Sequence, residues 1–325
     1  MTDAWWLRRL AGLAAAGTLV LVLANVAALG AAFSPWLDLA THFRPHYAAC
    51  ALLGALVLTL ARYWRWGGLA IAVFVFNAAL LWPYLDPMML REARAAANDL
   101  PTSVARLRVL HANVLTSNVD HDALLARIRA TEPNIVLLQE VDQAWLDALA
   151  DLRTAFPHRL ELPRTDNFGI AAYSRWPRTE LQRVDLTPDG PPAIALQIPT
   201  QVGRVHVLSL HPVPPVGRAY SDLRNRQLAA AAAMMARWPD TKLAVGDLNI
   251  TPWSPHFRTF IDTAGLRDAR HWQGLHASWP ASLPWLAIPI DHALPGDRLR
   301  TDRFESAWLS GSDHATLFTT WELLP

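Results

Sequence analysis

In the C-terminal two-thirds of this 325-residue chain, six short apolar runs each adjoin side chains able to hold a cation or move a proton. Leu107 to Leu110 leads to His111-Ala112-Asn113, and Asn134 to Leu138 leads to Gln139-Glu140. Val205 to Leu210 leads to His211-Pro212, and Lys242 to Val245 leads to Gly246-Asp247-Leu248-Asn249. Ala287 to Ile290 leads to Asp291-His292, and Gly311-Ser312-Asp313-His314 precedes the closing run Ala315 to Leu324. Glu140 is a hard oxygen ligand of the kind Mg²⁺ or Mn²⁺ takes. Asn113 and Asn249 offer neutral amides to a cation or to phosphoryl oxygens. Asp247 could deprotonate a water, and His211 and His314 could stabilise phosphoryl charge or protonate a leaving group. Asp291 could orient an imidazole, as a second carboxylate often does. A cation with fixed donors around a phosphoryl group is what in-line displacement requires.

Taken singly, each residue has a plainer reading. Asn113 and Gly246-Asp247 suit turns, Glu140 a solvated strand end, and His211 a loop. His111, His206, His276 and His292 are read as structural. The functional reading draws its weight from the set occurring together and in order. The chain has no Gly-Lys-Ser/Thr loop, no His-Glu-x-x-His and no Cys-x-x-Cys, which argues against a nucleotide-driven motor, a zincin and a thiol or zinc-finger site.

The elements that must position these residues follow from the pattern. Short apolar runs bounded by Gly and Pro predict strands. Helical spacing predicts helices over Asp120 to Thr131, Ala144 to Leu152, and Ser221 to Trp238 with Pro239 as its stop. The alternation predicts an α/β domain, in which ligands gather where strands end.

The N-terminal third is different in kind. Hydrophobic residues make up 52% of the chain, and from Leu10 to Leu85 Ala, Leu, Val, Phe and Trp dominate. Three stretches, about 10–33, 47–66 and 67–85, approach the roughly 20 apolar residues that a bilayer-spanning helix needs. A cleaved signal peptide is the alternative for the first, with Arg8 and Arg9 ahead of it. The division expected is an anchor over 1–85, a linker over 86–106, and a catalytic domain over 107–325. Arg8 and Arg9 before the first helix, and Arg62 and Arg65 between the second and third, put the N-terminus inside by the positive-inside rule. Three crossings then place the catalytic domain outside the cytoplasm. Residues 1–100 hold seven Arg and five acids, leaving 22 basic and 23 acidic residues beyond them. That near-balance gives no basic stripe for gripping a duplex. The single cysteine, Cys50, rules out an intrachain disulfide.

The ordered set Asn113, Gln139-Glu140, Ser209-Leu210-His211, Gly246-Asp247-x-Asn249, Ile290-Asp291-His292 and Ser312-Asp313-His314 resembles the endonuclease/exonuclease/phosphatase superfamily. The resemblance runs from Leu107 to the C-terminus. It implies two packed mixed β-sheets flanked by helices, a four-layer sandwich. It also implies roles: Glu140, Asn113 and Asp313 at the metal, His211 on the phosphoryl group, Asp247 on the water, Asn249 orienting phosphate, and Asp291 paired with a terminal catalytic His314. His211-Pro212-Val213-Pro214-Pro215 followed by Arg224-Asn225-Arg226-Gln227 is similar to a bacterial membrane-tethered branch, as is Phe168-Gly169-Ile170-Ala171-Ala172-Tyr173-Ser174-Arg175. Arg224 and Arg226 read either as phosphate clamps or as a solvated helix face. The loop from Trp272 to Trp285 reads either as membrane-resting or as core.

The function expected is Mg²⁺- or Mn²⁺-dependent hydrolysis of a phosphodiester, phosphomonoester or pyrophosphate, on a lipid-linked envelope substrate at the bilayer. A membrane-tethered nuclease acting on DNA or RNA would use the same site. A non-enzymatic envelope binding module is the third reading.

Overall fold

The computed structural model describes residues 3–85, 105–201, 203–239 and 241–324. Most of the expected linker therefore lies outside the described residues. The chain divides into two compact units, one built on the N-terminal helices and one holding the strands.

The first unit consists of α1 (Asp3–Leu29), a 3-10 turn (Ala31–Phe33), α2 (Pro35–Leu39), α3 (Arg44–Leu60) and α4 (Trp64–Leu85). Two segments, Trp5–Leu29 and Trp64–Leu85, are long and apolar enough to cross a bilayer. The middle one is not: α3 has 17 residues, about 25 Å at 1.5 Å per residue. The expected span over 47–66 is cut at Arg62, whose φ of 66° ends the helix in the left-handed region. Trp64 and Trp66 consequently open α4 instead of extending α3. Arg44 is buried at the start of α3. Its guanidinium Nη1 donates to Asn25 Oδ1 on α1 at 2.6 Å and to Asn77 Oδ1 on α4 at 3.3 Å. Asn77 Nδ2 in turn donates to Asn25 Oδ1 at 3.0 Å. Among apolar helices such bonds hold neighbours together, since an unmatched polar group there is costly.

The second unit is a sandwich. One sheet has the strand order β10 (Leu299–Trp308), β11, β1, β2, β4 (Ile170–Ser174), β3 (His158–Leu162), and the other β5 (Glu180–Val184), β6 (Ala193–Thr200), β7, β8, β9. The strands that matter for the site are β1 (Ala105–Asn113), β2 (Ile135–Gln139), β7 (Gly203–Ser209), β8 (Lys242–Asp247), β9 (Asp291–Pro295) and β11 (Ala315–Leu323). Both sheets are mixed: β1 runs parallel to β2 and β7 to β8, whereas β1–β11 and β8–β9 are antiparallel. Period-2 alternation sorts the side chains. Leu107, Val109, Ile135, Leu137, Val205, Val207, Leu243 and Val245 face inward and form the core between the sheets. Leu110, Ala112, Val136 and Leu138 face outward under α5 (His121–Thr131) and α6 (Gln143–Ala148), which contribute Leu124, Ile128 and Trp145. On the other side Leu208, Ala244 and Leu294 pack under α8 (Gly217–Met235) and α9 (Pro255–Ala264), which follow the short helix α7 (Leu152–Ala155). The result is the layered arrangement of two mixed sheets flanked by helices that the resemblance implied.

Three local expectations change. Ala287–Ile290 is not a strand: Pro289 has no N–H for a ladder, the segment makes one isolated bridge, Trp279 to Ile288, and pairing with β8 starts at Asp291. The expected helix over 144–152 is two pieces, α6 and α7. The third expected helix starts at Gly217, ahead of Ser221, and ends at Met235.

Candidate active site

The inward face that carries Leu107 and Val109 on β1 continues with His111 and Asn113. The same parity takes Ile135 and Leu137 to Gln139, Leu243 and Val245 to Asp247, and Val205 and Val207 through Ser209 to His211. The inter-sheet core thus ends in a polar cluster at one edge. It is a consequence of alternation, with apolar side chains giving way to functional ones on an unchanged face.

Glu140 follows β2 with φ of 62°, and Asn249 follows β8 with φ of 51°. Left-handed backbone at non-glycine residues is uncommon and often marks functional sites. Glu140 is buried; its Oε1 accepts from Asn113 Nδ2 at 2.8 Å, while its Oε2 has no hydrogen-bond partner. Burial pushes its carboxyl above the usual carboxylate range, partly offset by His211 and the Asn113 bond. Asn113 Nδ2 also reaches Asp247 Oδ2 at 3.4 Å. That oxygen lies 3.5 Å from His211 Nε2 and 3.7 Å from His314 Nε2. Its partner Oδ1 accepts from the Asn249 backbone N–H at 2.8 Å. His314 Nδ1 bonds Asp291 Oδ2 at 2.9 Å. Burial disfavours the His314 charge, but Asp291 and Asp247 outweigh it and push His314 up to about 10. Asp291 is fully buried; its two imidazole partners outweigh burial and hold it below the usual carboxylate range.

The structure therefore brings Asn113, Glu140, His211, Asp247, Asn249, Asp291 and His314 into one linked cluster. Asp313 is attached differently. Its Oδ2 accepts from Trp279 Nε1 at 2.9 Å, and its Oδ1 is buried without a hydrogen-bond partner. Arg226 is exposed. Arg224 is fully buried and donates to the Asn249 backbone carbonyl at 3.1 Å; it is a strut under the Asn249 loop rather than part of a solvated helix face. Gln227 on the same helix accepts from Val213 N–H at 3.1 Å. Helix α8 thus supports both the His211 and the Asn249 loops. The Trp-rich loop splits: Trp279 is tied to Asp313, while Trp285 is 72% exposed.

Sequence reasoning missed two residues. Gln139 joins the sheets: its Nε2 donates to the Leu210 carbonyl at 2.8 Å, and its Oε1 accepts from Asp247 N–H at 2.9 Å. His111 Nε2 lies 2.8 Å from Asp291 Oδ1. Strand parity is the signal that would have found both. It also separates His111 from His292, which faces the outer layer against Phe257. His292 Nδ1 meets Arg270 Nη2 at 2.5 Å and its Nε2 bonds the Ile250 carbonyl at 2.7 Å. Burial and Arg270 push it down to about 3, so it is neutral and structural.

The junction is closely packed. A Cβ on Gly246 would stand 2.0 Å from the Leu210 carbonyl oxygen and 2.5 Å from Gln139 Nε2. Gly246→Ala is expected to destabilise the protein by about 3 kcal/mol, because backbone cannot step aside cheaply. An unchanged melting temperature in that variant would contradict the close packing at this junction.

Among the described residues no group of three or more His, Cys, Asp or Glu side chains is arranged to hold a metal ion. The donors present still suit one hard cation. Glu140 offers a buried carboxylate oxygen with no hydrogen-bond partner, and Mg²⁺ commonly takes one or two carboxylates and completes its shell with water and substrate phosphate.

The chain belongs to the endonuclease/exonuclease/phosphatase family: the family's model matches residues 109–314, a span containing every residue of the cluster. Members of this family are phosphoesterase-type hydrolases that generally use divalent metals. Solved structures share the fold at low identity. The D. rerio TDP2 structure in complex with a single-strand DNA product aligns at a TM-score of 0.55 and 16% identity, covering 67% of this chain and 99% of that one. The human Nocturnin catalytic domain with a bound sulfate anion gives 0.55 and 17%, covering 68% and 96%. An endonuclease/exonuclease/phosphatase from Beutenbergia cavernae gives 0.51 and 20%, covering 67% and 72%. No curated protein sequence matches the chain.

Proposed function

We propose that this chain is a membrane-anchored, divalent-cation-dependent phosphohydrolase, cleaving a phosphodiester, phosphomonoester or pyrophosphate in a lipid-linked envelope substrate. The observation that carries the reading is a buried carboxylate, Asp247, bracketed by two histidines, one of them backed by Asp291, beside a second carboxylate with a bare oxygen. Glu140 and Asn113, with Asp313, would hold Mg²⁺ or Mn²⁺, which supplies Lewis-acid neutralisation of phosphoryl charge. Asp247 Oδ2 accepts a proton from the attacking water as its oxygen bonds to phosphorus. His211 and the Asn249 side chain bind the equatorial oxygens. His314, charged at neutral pH, gives its Nε2 proton to the leaving oxygen as the phosphorus–oxygen bond breaks, and Asp291 steadies the imidazole. Arg224 acts through Asn249, and Arg226 is left to contact substrate from the surface.

The lipid-linked preference rests on the company the domain keeps. Two helices of bilayer-spanning length precede it, and 22 basic residues against 23 acidic ones beyond residue 100 give little grip on polyanions. The division into an anchor over 1–85, a linker and a catalytic domain from 107 fits this reading; with the N-terminus inside, the catalytic domain lies on the extracytoplasmic side of a bacterial-type inner membrane when the shorter α3 crosses together with α1 and α4. A C-terminal alkaline-phosphatase fusion would be active in that topology and inactive, though expressed, in the opposite one.

The substrate reading is tested with the purified full chain and Mg²⁺ against a polyprenyl pyrophosphate and a phospholipid in mixed micelles, and against plasmid DNA. Turnover of a lipid substrate is expected. Plasmid nicking that disappears in Asp247→Asn, with no lipid turnover, would make the protein a nuclease instead.

One pH-dependence follows from Glu140. A carboxyl raised in the folded state contributes stability at low pH and loses it as pH rises through its folded pKa. A bound cation needs the ionised form and reverses that loss. Mg²⁺ is therefore expected to raise the melting temperature more at about pH 8 than at about pH 5. An equal shift at both would remove Glu140 from the cation site.

A further inference from the structure

We infer that His111 is a positioning residue for the Asp291–His314 proton-transfer pair, holding the Asp291 carboxylate in the plane that directs its second oxygen at His314. The role rests on the hydrolase reading above. Asp291 is fully buried, and each of its oxygens meets one imidazole: Oδ1 lies 2.8 Å from His111 Nε2, and Oδ2 lies 2.9 Å from His314 Nδ1. A buried carboxylate with only one of these partners would keep an unsatisfied oxygen and freedom to turn about its terminal torsion, which is broad and roughly two-fold. The His111 ring closes that freedom from the opposite side. Its backbone neighbours are also fixed, since Asp291 N–H donates to Ser278 Oγ at 3.1 Å and its carbonyl accepts from Arg270 Nη1 at 3.4 Å.

The strand makes the arrangement more than a local contact. His111 and Asn113 are two residues apart on β1, so both project from the same face. Asn113 reaches Glu140 at the end of β2 in its own sheet, and His111 reaches Asp291 at the start of β9 in the other sheet. Pairing of Asp247 with Asp291 in the β8–β9 ladder carries the connection on to the water-activating carboxylate. One rigid strand thereby sets the separation between the cation pole and the proton donor. His111 itself is buried behind Asp291, at 1% exposure, and does not touch substrate.

The test is a leaving-group series. Methyl aryl phosphodiesters of graded phenol acidity are hydrolysed by the Mg²⁺-loaded wild type, His111→Leu and His111→Gln, well below their melting temperatures. A nitrophenolate leaves without a proton, whereas a poorly acidic phenol needs one from His314. His111→Leu is expected to lose about 100-fold in kcat on the least acidic phenol, the scale of misplacing a general acid, and under about 3-fold on the nitrophenol. His111→Gln keeps an N–H at the Nε2 position and is expected to recover most of the loss. If the Leu variant does not fold, His111→Ser serves in its place. A uniform loss across the series, no loss, or a Gln variant as poor as Leu would overturn the positioning role while leaving the hydrolase reading standing. A wild type inactive on every member with Mg²⁺ or Mn²⁺ would overturn the hydrolase reading and this role with it.

Discussion

Glu140→Gln is expected to lower phosphoester hydrolysis by about three orders of magnitude without lowering the stability of the cation-free protein. The substitution keeps the side chain's length and an oxygen for Asn113 Nδ2, which now donates to Glu140 Oε1 at 2.8 Å. What it removes is charge. The carboxylate is buried, its second oxygen has no hydrogen-bond partner, and burial already pushes its pKa upward, so its ionised form costs stability in the absence of a cation. A neutral amide removes that cost and forfeits the cation at once. Two measurements check the pair of effects: kcat at saturating Mg²⁺, and melting temperature under chelator. A variant that keeps wild-type turnover would place the cation elsewhere. One that loses turnover and unfolds early would make Glu140 a structural residue.

Asp247→Asn is expected to cost about 10³-fold in kcat, in the range found when a general base is removed, with substrate binding changed far less. Asn retains an oxygen for the Asn249 N–H that now bonds Asp247 Oδ1 at 2.8 Å, so the Asn249 loop should hold its shape. The lost atom is the basic oxygen facing His211 and His314 at 3.5 and 3.7 Å. Without it no carboxylate stands between the two imidazoles to take the water's proton. Steady-state kinetics on a soluble phosphodiester separate the outcomes. A fall in kcat with KM near its original value supports the base role, whereas a raised KM with kcat intact would make Asp247 a binding residue.

Much of this site is legible in the sequence, because its polar residues sit where strands stop. Asn113, Gln139-Glu140, Asp247 and Asp291 each lie at a boundary of β1, β2, β8 or β9, and the alternation that predicts a strand also fixes which face each one takes. The residues missed are those whose partners are distant in sequence. His111 finds Asp291 180 positions away, and Gln139 finds the Leu210 carbonyl 71 positions away; parity assigns them to the inward face but not to a partner. Arg224 shows a different gap. Its place in the helix expected over Ser221 to Trp238 suggests a phosphate clamp or a solvated charge, yet it is buried and donates to the Asn249 carbonyl. In the N-terminal unit the middle stretch, expected over 47–66, ends early because hydropathy does not register a single left-handed residue such as Arg62. Pro289 sits inside an apolar run and stops it from pairing, a signal present in the sequence and outweighed by the run's hydrophobicity.

The central claim is that this cluster hydrolyses phosphoesters with the help of a divalent cation. The most direct measurement is the turnover of bis(p-nitrophenyl) phosphate by the purified full chain, first with chelator and then across a Mg²⁺ and a Mn²⁺ titration, with Glu140→Gln alongside. Nitrophenolate release that is absent with chelator, restored by either cation and absent throughout in the variant is the predicted result. Release that is indifferent to chelator and unchanged in Glu140→Gln, or no release at any cation concentration, would contradict it.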